Sequence, residues 1–140
     1  LDNDIIVVAG DNLFELSLMD VANFFKKKKS NVIVLYDVKD TELAKHYGIV
    51  EVNNNIIVNF EEKPLNPKST LASTGIYLFP KKTISLIKKY IDQGNNPDKT
   101  GSFIEWLHKR DVVYSYVSDK KWYDIGSIEQ LEKANKYYKK

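Results

Sequence analysis

Two aspartates stand where chemistry could be done. Asp11 follows the point where the apolar run Val7-Val8-Ala9-Gly10 stops, and Asn12 comes directly after it. Asp124 lies between Trp122-Tyr123 and Ile125-Gly126, at another expected strand-to-helix junction. In open α/β sheets, ligands gather beyond the carboxyl ends of the strands. A carboxylate there suits a hard cation such as Mg²⁺, which takes one or two carboxylates and fills its shell with phosphate oxygens and water. Each aspartate also has a plainer reading. Asp and Asn cap turns, and an acid near a helix N-terminus is favoured by the dipole. Asp11 by itself reads better as a turn residue. Two strand-end aspartates far apart in sequence can also converge on one metal.

Three further stretches carry polar or glycine signals. Phe60-Glu61-Glu62-Lys63-Pro64 ends a strand. A lysine beside proline can neutralise a phosphate as a point charge, and Glu62 can accept hydrogen bonds from sugar hydroxyls. A solvated, charged strand end is the ordinary alternative. Ser73-Thr74-Gly75-Ile76-Tyr77-Leu78-Phe79 has a glycine in mid-strand. That marks a bulge or the close approach of a ligand or another backbone. Gly48 sits at a strand start in His46-Tyr47-Gly48. His46 and His108 have no partners at metal-ligand spacing and read as structural or exposed.

The elements that must hold these residues are those of one α/β domain. The chain has 140 residues, 43% hydrophobic and 29% charged, enough for a core of its own. Twenty-one basic and 19 acidic residues leave a formal charge of +2. That is too little to argue for nucleic acid or an anionic membrane. The runs Lys26–Lys29 and Tyr137–Lys140 read as solvated helix ends. With no cysteine, disulfides and thiolate metal sites are excluded, and a cytoplasmic setting fits. No apolar stretch reaches the ~20 residues of a membrane span, and no signal peptide is visible.

Residues 4–10 are a β-branched run expected to be a strand buried on both faces. A helix starting at Ser17, with Asp20 completing an approximate capping box, precedes a second buried strand at 31–38. That makes a βαβ unit and a parallel sheet locally. Residues 48–52 and 56–63 read as a hairpin about Asn53-Asn54-Asn55. A strand at 69–79, a helix opened by Pro80, a short helix at 103–110 and an outer strand at 112–117 follow. Ser127 and Gln130 cap a last amphipathic helix. The sheet is therefore expected to be mixed.

The order of the motifs says more than any one of them. Val7–Phe14, then Tyr47–Glu51, Phe60–Pro64, Ser73–Phe79, Ile104–Leu107 and Trp122–Ala134 resemble the sugar-1-phosphate nucleotidylyltransferases from end to end of the chain. The glucose-1-phosphate thymidylyltransferase type is the most similar. The resemblance implies a Rossmann-like nucleotide-diphospho-sugar transferase fold. It also implies a reaction joining a sugar 1-phosphate to a nucleoside triphosphate with loss of pyrophosphate. Carried over by position, Asp11 and Asp124 look like Mg²⁺ ligands and Lys63 like the catalytic lysine on the sugar phosphate. Gly48, Glu62 and Gly75 look like sugar-pocket residues, with Tyr77 a packing neighbour. Trp122 resembles the structural aromatic before the second aspartate.

One departure stands out. The family opens on a G-x-G-T-R loop for the triphosphate, followed by a lysine–proline pair. The glycines here are 10, 48, 75, 94, 101 and 126, and no two form G-x-G. Residues 1–140 therefore read as a single partial domain, truncated on its N-terminal side. It holds the sugar-binding part with both metal aspartates, and is expected to be inactive alone. A sheet without its first strands exposes an edge, so self-association is expected. A non-catalytic sugar-phosphate-binding or regulatory module is the alternative. A metal-dependent glycosyltransferase would want D-x-D at a strand end, and Asp2-Asn3-Asp4 precedes its strand instead.

Overall fold

The structure is a computed structural model that describes residues 3–138. The first aspartate of the D-x-D match and the terminal Lys139 and Lys140 lie outside the described residues. The chain builds β1 (Ile5–Val8), β2 (Asn12–Phe14), α1 (Leu18–Lys28), β3 (Asn31–Asp37) and α2 (Thr41–Ala44). It continues with β4 (Gly48–Asn53), β5 (Ile56–Glu62), β6 (Leu71–Phe79), a 3₁₀ turn (Lys81–Thr83) and α3 (Ile84–Asp92). The last elements are α4 (Thr100–Leu107), β7 (Val113–Ser118), β8 (Trp122–Asp124) and α5 (Ile128–Tyr138).

Six strands form one mixed sheet in the order β1-β6-β3-β7-β5-β4, and β2 and β8 form a separate two-stranded ribbon. β3 is the centre. Val32, Ile33, Val34 and Leu35 are fully buried, and burying each such side chain contributes about 1.5–3 kcal/mol. Alternation splits them between faces. Val32 and Val34 join Val21 and Phe25 of α1, whereas Ile33 and Leu35 join Tyr90 of α3 and Phe103, Ile104 and Leu107 of α4. The helices thus cover opposite sides of the sheet. Ser17 caps α1 as expected, its Oγ accepting from the Asp20 N–H at 3.3 Å. Ser127 caps α5 in the same way through the Gln130 N–H at 3.2 Å.

Two strands depart from expectation. β1 is not buried on both faces: among the described residues it is an edge strand pairing only with β6, and Ile6 and Val8 are 49% and 42% exposed. β1 and β3 do run parallel to one another, because both are antiparallel to β6, but β6 lies between them. The expected βαβ crossover therefore admits a later antiparallel strand. β7, expected to be an outer strand, lies inside the sheet between β3 and β5. It pairs in parallel with β3 along its length, and β5 meets it at the single pair Ile56–Tyr114. Its alternation is between the two faces of the sheet: Val113 and Ser115 are buried, whereas Tyr114 and Tyr116 on the opposite face are half-buried.

The hairpin turns on Asn54 and Asn55, with φ of 49° and 63°, so two asparagines take the left-handed positions of a two-residue turn. At the C-terminal end of α4, the His108 Nε2 is enclosed with no hydrogen-bond partner among the described residues. Burial pushes this imidazole below the ordinary 6.5, Lys109 adds to the effect and Glu105 opposes it. A base whose folded pKa is depressed binds its proton more readily in the unfolded chain. Stability is therefore expected to fall as pH drops through about 6.5 and below. His108→Gln should flatten that slope in thermal melts taken between pH 5 and 8, and an unchanged slope would refute this assignment.

Candidate functional site

The ribbon of β2 and β8 brings the two aspartates together. Asn12 lies opposite Asp124, and Phe14 opposite Trp122. The ladder extends at both ends: the Ile125 N–H donates to the Asp11 carbonyl at 2.8 Å, and the Glu15 N–H to the Lys121 carbonyl at 3.0 Å. Both carboxylates converge on Gly126. A Cβ there would lie 3.2 Å from Asp124 Oδ1 and 3.9 Å from Asp11 Oδ2. The Gly126 N–H donates to Asp124 Oδ1 at 3.1 Å, and Asn12 Nδ2 donates to Asp11 Oδ1 at 2.9 Å. Each carboxylate thus gives one oxygen to the protein. Asp11 Oδ2 and Asp124 Oδ2 carry no hydrogen bond among the described residues.

A cleft of about 220 Å³ opens beside the ribbon, and Asp11, Gly48, Glu62, Lys63, Gly75 and Asp124 all line it. The six sequence candidates therefore share one cavity. Gly48 faces Glu62 across the β4–β5 ladder. A Cβ on Gly48 would fall 2.7 Å from Phe60 Cζ and 3.1 Å from Glu62 Oε2. Gly101, in the first turn of α4, lies against the same two side chains: its Cβ would fall 2.9 Å from Phe60 Cζ and 3.0 Å from Glu62 Oε2. The Glu62 carboxylate is thus wedged between two glycines, beside the positive end of α4. Lys63 adopts φ +47°, and its N–H donates to the Tyr47 carbonyl at 3.0 Å, which fixes the strand end at the cleft.

Gly75 behaves differently. Between Ile33 and Leu35 the β3–β6 register slips from Tyr77 to Ser73, so Gly75 sits in a bulge. Its φ is +77°, and a Cβ would fall 2.7 Å from Ala9 Cβ. The close approach is that of another backbone, since the Ala9 N–H donates to the Gly75 carbonyl at 2.9 Å. Tyr77 is buried in the core, its hydroxyl 3.0 Å from Ser73 Oγ.

Two further lining residues, Gly101 and Tyr47, were not singled out for the site. Gly101 stood in a loop-like stretch, and its partner Phe60 is distant in sequence. Tyr47 packs edge-on against Trp122 at 5.1 Å, and burial, with Asp124 adding, pushes its phenol up. Gln130 does not close a capping box; its Nε2 reaches the Tyr47 hydroxyl at 3.4 Å. His46, expected to be structural or exposed, is exposed at the rim of the cleft.

A mixed sheet flanked by helices, with two strand-end carboxylates opening on a cleft with a lysine and a glutamate, defines an α/β protein with a charged, polar cleft. The family model described as nucleotidyl transferase matches residues 1–140, and the chain belongs to that family. The glucose-1-phosphate adenylyltransferase of Clostridium acetobutylicum is 31% identical over 139 residues, covering 94% of this chain and 36% of that protein. The enzyme of the same name from Mycoplasma mobile is 32% identical over 137 residues, covering 93% and 35%. A candidate glucose-1-phosphate thymidylyltransferase from Bacillus anthracis, solved in complex with sucrose, superposes with a TM-score of 0.81 at 29% identity, over 97% of this chain and 55% of that one. UDP-glucose pyrophosphorylase from Acinetobacter baumannii shares the fold, with a TM-score of 0.79 at 24% identity over 98% and 51%. The mixed α/β fold is thus the Rossmann-like fold of nucleotide-sugar transferases. The chain spans about a third of the curated relatives' length and about half of the solved chains.

Proposed function

We propose that the cleft binds a sugar 1-phosphate, and that in a protein of its relatives' length these residues serve nucleotidyl transfer. In that reaction a sugar-phosphate oxygen attacks the α-phosphorus of a nucleoside triphosphate. The bond to the bridging oxygen breaks and pyrophosphate leaves. The observation that carries this reading is the placement of Asp11 and Asp124 on one ribbon, facing the cleft that holds Lys63 and Glu62. Asp11 Oδ2 and Asp124 Oδ2, without hydrogen bonds among the described residues, are the oxygens that would hold a Mg²⁺ ion. Among the described residues no cluster of three acidic or histidine ligands exists, so the rest of its shell would be water and phosphate oxygen. When bound, the ion would neutralise charge on the phosphate oxygens. Lys63 supplies the second positive charge, at the sugar phosphate. Glu62, held between Gly48 and Gly101, accepts from sugar hydroxyls.

Glucose 1-phosphate is the sugar phosphate shared by the names of the relatives, so it is the probe. Calorimetric titration should show glucose 1-phosphate binding that Lys63→Ala weakens and that free glucose does not match. No binding, or equal binding by the variant, would overturn the sugar-phosphate site. The sequence holds no G-x-G loop. Residues 1–140 alone are therefore expected to release no pyrophosphate from ATP or dTTP with glucose 1-phosphate. Turnover that disappears in Asp11→Asn would show the loop to be dispensable. The two triphosphates are tested side by side because the relatives' names divide between adenylyl and thymidylyl transfer.

Self-association belongs to the same proposal. Among the described residues β1 has β6 as its one partner, and its other edge offers unpaired backbone groups beside exposed Ile6 and Val8. Such an edge is a template for another strand. Sedimentation velocity should show concentration-dependent dimers that Val8→Lys reduces; a single monomeric species at all concentrations would exclude this.

A further inference from the structure

We propose that Trp122 and Asn12 form a positioning relay that aims the Asp11 carboxylate at the cation site and ties that site to the sugar cleft. The proposal rests on the cation reading above. The indole Nε1–H of Trp122 donates to Asn12 Oδ1 at 2.8 Å, and Asn12 Nδ2 donates to Asp11 Oδ1 at 2.9 Å. An indole can only donate and an ionised carboxylate can only accept. The side chain between them must therefore accept on one side and donate on the other, which an amide does. Asp at position 12 has no donor for Asp11 and adds a like charge. A longer Gln would not keep the same span.

The relay links residues 110 positions apart in sequence. Both its ends are fixed. Phe14 lies opposite Trp122 in the ribbon, and Asn12 opposite Asp124, so the backbone holds the donor and the two carboxylates in one frame. The Trp122 ring is wedged edge-on against Tyr47 and tilted against Tyr36 at 6.0 Å. The half-buried indole lines the cleft that also holds Lys63 and Glu62. With Oδ1 of Asp11 held by Asn12, Oδ2 is the oxygen left toward Gly126 and Asp124. One side chain thus touches the proposed sugar cleft with its ring and sets the proposed cation ligand through its N–H. Any change in the indole's position on sugar-phosphate binding reaches Asp11 through two short hydrogen bonds. By linkage, cation binding must favour the sugar phosphate by the same factor.

The test uses Mn²⁺ as the probe, followed by paramagnetic broadening of the Gly126 amide and of the Trp122 indole resonance. Trp106 is the other tryptophan, so Trp106→Phe assigns the indole signal. Partners behind a metal ligand are worth about 10–100-fold in metal affinity. Asn12→Ala and Trp122→Phe, which keeps the ring and removes the donor, should each weaken Mn²⁺ by about tenfold. Glucose 1-phosphate should tighten Mn²⁺ more in the wild type than in these variants. Asn12→Gln serves as the conservative control and should not restore affinity. Wild-type Mn²⁺ affinity in Asn12→Ala, with the fold intact by circular dichroism, overturns the relay. Absence of Mn²⁺ broadening in the wild type overturns the cation reading itself, and the relay with it.

Discussion

Asp124→Asn and Asp11→Asn are each expected to lower metal-dependent nucleotidyl transfer by about 10²–10³-fold in a protein of the relatives' full length. That is the cost of removing one preorganised charge-stabilising group from a reacting phosphate. Asparagine keeps the shape of the side chain and removes only its charge. Asn at position 11 still accepts from Asn12 Nδ2, and Asn at 124 still accepts from the Gly126 N–H. The ribbon should therefore survive, and melting temperatures should move little. The discriminating measurement is pyrophosphate release across a Mg²⁺ titration. A loss that high Mg²⁺ partly rescues means that the carboxylate binds the ion. A loss that no Mg²⁺ concentration rescues means that the charge acts in the reaction itself. Wild-type rates at all Mg²⁺ concentrations would remove both residues from the site. Two charges one ribbon apart share a task, so the double variant should cost less than the two single losses multiplied.

The order of the strands was the hardest part of the fold to read ahead of the structure, and the reason is physical. β3 was legible because it is enclosed on both faces, and an enclosed strand is apolar throughout. β1 has a similar composition and lies at the edge. Ile5 and Val7 pack against the core, whereas Ile6 and Val8 face outward. Periodicity cannot reveal this when the outward residues are apolar too. β2 and β8 are three residues each, too short for any alternation to register. Yet their pairing is what joins Asp11 to Asp124. The site was legible one residue at a time and only through the order of the motifs. Its convergence depends on a ribbon between segments 110 residues apart, which no local pattern encodes. Gly101 illustrates the same limit: its meaning lies in Phe60 and Glu62 on another element. Gly48 drew notice because it opens a strand, but the reason for its being glycine is the same ring and the same carboxylate.

Gly75→Ala is expected to cost about 2–4 kcal/mol and to disturb the proposed cation site from a distance. The left-handed backbone accounts for roughly 1–3 kcal/mol of this, because φ is +77°. The rest comes from the methyl, which would sit 2.7 Å from Ala9 Cβ and push that residue away. The hydrogen bond from the Ala9 N–H to the Gly75 carbonyl, 2.9 Å long, would then stretch, and Asp11 lies two residues further along the chain. At roughly 3–5 °C per kcal/mol for a domain of this size, the melting temperature should fall by on the order of 10 °C. Gly10→Ala is the matched control. A Cβ at Gly10 meets nothing within 4 Å and its φ is not positive, so the change should be neutral or slightly stabilising. Strain and clash separate in the double variant Ala9→Gly/Gly75→Ala. Removing the Ala9 methyl relieves the tightest contact and leaves the left-handed backbone, with the new methyl still 3.3 Å from Asn12 Nδ2. The double variant should therefore regain part of the Mn²⁺ affinity and part of the stability. Full recovery of both would mean that the bulge tolerates alanine and the clash alone matters. A single variant that melts within a degree or two of the wild type would mean that the bulge relaxes, and that Gly75 does not set the path of the chain into Asp11.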